Sequence, residues 1–159
     1  MPPGWKDFSV AEKRSFEMTD VAEQLRLFGV ETMSPTNRFP DDLLAAIHKE
    51  KILGIRAGRK STHRVIGVWA VVVEGRVFVR SWGRKPQGWH QVFLADPYGS
   101  LFIAEREIPI RTVQTRSERL KDLVSQAYKE KYNTPGSIQY VKDMSGKRSR
   151  DTTTELGPI

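Results

Sequence analysis

The residues best suited to chemistry form a short basic turn, Gly58-Arg59-Lys60-Ser61-Thr62, set between two stretches that read as strands. Backbone N–H groups in a turn that contains glycine can converge on an anion. An arginine grips phosphate through two parallel hydrogen bonds, and a lysine adds a point charge. The hydroxyls of Ser61 and Thr62 complete a phosphate-contacting set. The G-x-x-x-x-G-K-S/T spacing of a nucleotide-hydrolase loop is absent. A second group, Arg80-Ser81-Trp82-Gly83-Arg84-Lys85 with Trp89 just beyond, interleaves cations with indoles. Such a mixture can stack a flat ring and neutralise its phosphate, and it would equally suit the bases of a single nucleic-acid strand. Each group also has a plain structural reading: a solvated loop joining two strands, and two tryptophans covering the end of a barrel.

Other chemistries are excluded or disfavoured. The 159-residue sequence has no cysteine, which removes disulfides, thiol nucleophiles and Cys-ligated metal. Histidines 48, 63 and 90 share no ligand spacing, so no metal site is expected. Asp41-Asp42 suits the first turn of a helix better than a catalytic pair, and neither a G-x-S-x-G elbow nor an H-E-x-x-H helix occurs. Any enzyme activity would therefore draw its reactivity from a bound cofactor.

The charge balance points to an anionic partner. Lys and Arg number 26 against 19 Asp and Glu, a net charge of +7. Residues 1–50 are nearly balanced, whereas Lys51–Lys85 carries Lys51, Arg56, Arg59, Lys60, Arg64, Arg76, Arg80, Arg84 and Lys85 against the single carboxylate Glu74. A length of 159 residues and a hydrophobic share of 38% fit one globular domain. The longest apolar run, Val65–Val73, is far short of the roughly 20 residues of a membrane span. The opening Met1-Pro2-Pro3-Gly4 is no secretory leader, so a cytoplasmic address is the expectation.

The elements that must position these residues follow from pattern. Residues 1–38 read as a helical arm, with capping boxes at Ser9–Glu12 and Asp20–Glu23. Residues 39–159 form the main domain. Phe39–Ile47 reads as a helix with acids in its first turn. Six strands are expected: Ile52–Arg56, Val65–Val73, Arg76–Trp82, Ser100–Ala104, Ile108–Val113 and Thr152–Leu156. Glu74-Gly75 turns one hairpin and Glu105–Glu107 a second. Trp89–Leu94 is a short helix. A capped amphipathic helix carries the stripe Leu120, Leu123, Val124, Ala127 and Tyr128, and Asn133–Gly136 ends it. Ile138–Val141 fits a strand or a helical turn. Nine apolar residues in one strand imply that something covers its second face. The fold class is mainly β with flanking helices, α+β, around a small antiparallel barrel.

From Phe39 onward the motif order resembles a bacterial family known as domain of unknown function 2255. The matching stretches are Val68–Ser81, Gly88-Trp89-His90, Leu94–Pro97, Arg106–Ile110, Tyr128–Tyr132 and Thr152–Leu156. That family resembles the split-barrel FMN-binding superfamily, which includes the deazaflavin-dependent nitroreductases, and Gly58-Arg59-Lys60-Ser61 resembles their G-R-K-S/T turn. The resemblance implies a six-stranded antiparallel split barrel, commonly a homodimer, with FMN or a deazaflavin in a groove beside the partner. Arg59, Lys60, Ser61 and Thr62 would meet the phosphate, and Arg80, Ser81, Trp82, Arg84, Lys85 and Trp89 would line the ring or ribityl side. A flavin-dependent reductase is the activity this implies. A nucleic-acid-binding module and a cofactor-free barrel serving as an interaction scaffold stand as alternatives.

Overall fold

The computed structural model describes residues 7–8, 38–59, 64–82 and 88–159. The 1–38 arm therefore lies almost wholly outside the described residues. In chain order the elements are β1 (Asp7–Phe8), α1 (Asp41–Lys49), β2 (Leu53–Ala57), β3 (Val65–Val68), β4 (Ala70–Val73), β5 (Arg76–Val79), α2 (Trp89–Ala95), β6 (Tyr98–Ile103), β7 (Arg106–Gln114), α3 (Glu118–Lys131), α4 (Pro135–Met144), α5 (Lys147–Arg150) and β8 (Thr154–Pro158).

All pairings are antiparallel, in the order β1-β3-β2-β6-β7-β8-β5-β4. Seven strands of four to nine residues make the sheet, and the two-residue β1 extends its β3 edge. The expected six become seven because Val65–Val73 serves as two strands: β3 pairs with β2, and β4 pairs with β5. Those partners lie near opposite ends of the sheet, so a chain broken only at Trp69 draws the ends together. The result is a curled half-barrel.

Period-2 alternation then sorts the side chains. Val68, Ala70, Val77 and Val79 face an inner core with Leu53, Ile55, Leu101, Ile110 and Leu156, closed by Phe39, Leu43 and Ile47 of the α1 segment and Phe93 of α2. Trp69, Val71, Val73 and Phe78 face outward into a second core formed with Leu120, Val124, Tyr128, Val141 and Met144. Helices α3 and α4 thus cover the second face of the apolar strand, and no partner subunit is needed for that burial. α3 starts where Ser117 Oγ accepts from Leu120 N at 3.2 Å. Pro135 opens α4, so Ile138–Val141 is helical.

The second hairpin turns one residue earlier than expected, on Ala104 (φ 51°) and Glu105 (φ 60°). Two successive positive φ values define a turn that matches strand twist but favours Asn-Gly. Neither resident is suited to it, which is why composition placed the turn wrongly. Replacing Ala104-Glu105 by Asn-Gly is expected to add about 1 kcal/mol of stability, raising the melting temperature by roughly 2–4 °C in calorimetry.

Candidate functional site

The basic turn is anchored at its start. Gly58, at φ 89°, donates its N–H to Tyr98 O at 2.8 Å. Arg59 N donates to Asp96 Oδ2 at 2.9 Å, its Nε lies 3.4 Å from Asp96 Oδ1, and its guanidinium stands 4.5 Å above the Tyr98 ring. The Arg59 backbone N–H, with Tyr98 N–H and the guanidinium charge, holds the Asp96 carboxyl below its usual range against the opposing effect of burial. Arg59 remains 66% exposed along its side chain, so its outer face is open to an anion. Asp96 is the C-cap of α2. The turn and α2 therefore meet at one place.

Trp89 stands at the other end of α2, buried, with its ring edge-on to His90 and Phe93. Its Nε1 is buried and finds no hydrogen-bond acceptor among the described residues. A dry indole N–H without an acceptor costs about 1–3 kcal/mol, so it marks a position where a ligand oxygen or nitrogen would be welcome. Lys60, Ser61, Thr62, Arg84 and Lys85 lie outside the described residues, although their segments adjoin Arg59 and Gly88.

Arg80, Ser81 and Trp82 lie elsewhere. Arg80 follows Phe78 on the strand face that the helices cover, and it is completely buried. Its Nε donates to Thr153 Oγ1 (2.8 Å), Nη1 to Ser125 Oγ (2.8 Å) and Met144 O (2.9 Å), and Nη2 to Lys121 O (2.7 Å). Burial pulls its pKa down to about 10, which leaves it charged at neutral pH. Ser81 is bound through its backbone to Thr152 Oγ1 and Ser149 Oγ. Trp82 packs edge-on to Tyr140 at 6.1 Å, beside the outer core, whereas Trp89 belongs to the inner one. The two indoles thus serve different layers.

A polar cluster that composition did not single out sits where the strand changes partner. Tyr128 Oη donates to Trp69 O at 2.6 Å and accepts from Arg80 N at 3.1 Å. Burial raises the pKa of the Tyr128 hydroxyl well above the phenolic range. Lys131 Nζ donates to Ile47 O (2.9 Å) near the end of α1 and to Ala70 O (2.7 Å), and Tyr132 Oη donates to Lys51 O (2.6 Å). One signal could have found Lys131: the buried stripe Leu120, Val124, Tyr128 continues onto it at helical spacing. Tyr128→Phe is expected to cost about 2 kcal/mol in urea denaturation, because two backbone groups lose their buried partner.

Among the described residues no cluster of three or more His, Cys, Asp or Glu could hold a metal, and no helix is long and apolar enough to cross a membrane. No curated protein sequence matches the chain significantly. Among solved structures it is similar to the conserved hypothetical protein Rv2991 from Mycobacterium tuberculosis, at 11% identity and a TM-score of 0.48. That match covers 79% of this chain and 82% of the other. The family profile described as an uncharacterized protein conserved in bacteria, DUF2255, matches residues 43–156, from α1 through the first part of β8, and the chain belongs to that family.

Proposed function

We propose that the protein binds a flat, phosphorylated heterocycle of the FMN or deazaflavin type where α2 meets the turn after β2. One observation carries this reading: Trp89 Nε1 is buried without an acceptor among the described residues, on the helix whose C-cap, Asp96, fixes the exposed Arg59. Arg59 would take the phosphate with Lys60, Ser61 and Thr62, and Trp89 would donate to a ring heteroatom. Arg84 and Lys85, just ahead of α2, would add charge. Arg80, Ser81 and Trp82 have no part in it, since their bonds and packing are spent inside the domain. A bound flavin would supply hydride chemistry, and the chain would supply orientation and exclusion of water. In the split-barrel proteins that the sequence resembles, a second copy commonly completes the groove, and a homodimer is part of the proposal.

Absorption spectra and tryptophan-quenching titrations with FMN, riboflavin and a deazaflavin test it. FMN or the deazaflavin is expected to quench at micromolar concentration. Arg59→Ala should weaken FMN about tenfold while leaving riboflavin, which lacks the phosphate, unchanged. Colourless protein whose fluorescence ignores all three would overturn the proposal.

A further inference from the structure

The ends of α1 and α3 and the edge of β4, the last strand of the sheet, enclose a cleft of about 400 Å³. Its lining includes His48, Lys51, Val71, Val72, Glu130 and Lys131. We propose that this cleft binds a small organic monocarboxylate, its anionic end held by the ammonium groups of Lys51 and Lys131 and its apolar body resting on Val72 and Ala127.

The donors are built for it. Lys131 is 9% exposed, yet its ammonium has three N–H groups and the protein accepts two of them, through Ile47 O and Ala70 O. Those two bonds fix the nitrogen, and the third N–H is left for the cleft. Lys51 Nζ donates to Lys131 O at 2.7 Å. Both ammonium groups lie near the Tyr132 ring, at 5.6 Å for Lys51 and 5.4 Å for Lys131. Among the described residues neither lysine forms a direct ion pair with a carboxylate, although Glu50 and Glu130 lie nearby. The desolvated Lys131 ammonium gains more from an anion than a surface lysine does.

The same lining selects the ligand class. Val72 and Ala127, both partly exposed, give the cleft an apolar floor that a bare inorganic anion would not use, whereas a hydrocarbon or aromatic body would cover it. Glu130, whose Oε1 accepts from Gln126, places one negative charge at the rim and disfavours a dianion.

Protonation sets the pH range. The groups facing Lys131 are His48 and Glu50 at the end of α1, Lys51 after it, and Glu130 and Tyr132 around the end of α3; β4 offers only valines. Burial, with Lys51 second, pulls the Lys131 pKa down to about 8. The ammonium is therefore mostly present at neutral pH and is lost as pH rises through that value, taking the third donor's charge with it.

Titration of the whole protein with benzoate, followed through the Val71 and Val72 amide resonances, provides the test. Benzamide and inorganic phosphate serve as comparisons. Millimolar benzoate should shift both resonances at neutral pH, and benzamide and phosphate should leave them in place. The benzoate affinity should fall several-fold between about pH 7 and about pH 9. Lys51→Gln, an exposed substitution that spares the core, should weaken benzoate about tenfold. Equal binding of benzamide, binding of phosphate in preference to benzoate, an unchanged affinity in Lys51→Gln, or no shift at all would each overturn the assignment. FMN titrations read the Arg59 turn independently of this cleft.

Discussion

Arg80→Met should unfold about 3 kcal/mol more easily than the parent, which is a drop of roughly 10 °C in melting temperature for a chain of this size. Two effects oppose each other. Removing the guanidinium ends the cost of burying a charge that has no carboxylate in direct contact, and that cost is several kcal/mol in a dry interior. Against this, Met144 O and Lys121 O would lose their donor under α3 and α4, and Thr153 and Ser125 would lose theirs. The hydroxyls can rotate to other partners, but the Met144 carbonyl, at the end of α4, cannot. Leaving buried acceptors dry costs about 1–3 kcal/mol each, so the bonds outweigh the relief of desolvation. A loss below about 1 kcal/mol in urea denaturation would show that the two cancel. The proposed flavin binding, by contrast, should survive the substitution at temperatures where the protein stays folded, since Arg80 lies among the helices.

Gly99→Ala is expected to be equally damaging for a steric reason. A Cβ at this position would stand 2.3 Å from Arg56 O and 2.9 Å from Phe93 Cε1. Gly99 lies in β6 opposite Ala57 and Ile110, with strands on both sides, so the Arg56 carbonyl has no room to retreat. Either the β2–β6 pairing opens or α2 lifts from the sheet. A cost of about 3 kcal/mol follows, read as a lower denaturation midpoint. The loss should be accompanied by a red shift of indole emission as Trp89 meets water. An alanine variant of native stability would contradict this packing.

Much of the architecture could be read from local pattern. The hairpin expected between Val65–Val73 and Arg76–Trp82 has a Gly in its turn and alternating apolar residues, and it forms in a shorter version, Ala70–Val73 with Arg76–Val79, with Ala70 opposite Val79. α1 and α3 carry acids or a serine cap at their starts and apolar stripes along their lengths. The change of partner at Trp69 could not be read, because an unbroken apolar run has the same composition whether it serves one strand or two. The placement of Arg80 needed only one further step. Strand alternation puts it with Phe78, and that face is wet or dry according to whether a later helix covers it. Nothing local in a strand reports the helix 40 residues downstream. Lys131 was hidden for the opposite reason: a lysine ending an apolar stripe looks like a solvated last turn until α1 brings its carbonyls alongside. Of the residues expected to meet a phosphate, Arg59 is exposed and tied to Asp96, a contact that composition did not suggest, and Lys60, Ser61 and Thr62 belong to residues outside the described set.

β8 lies between β5 and β7, although it is translated after both. A chain folded only as far as Asp151 therefore presents two open edges, Val77–Val79 and Ile110–Gln114, each waiting for β8. Unpaired edges of this kind recruit strands from neighbouring chains. Any delay between the exposure of β7 and the docking of β8 should then favour aggregation over native yield.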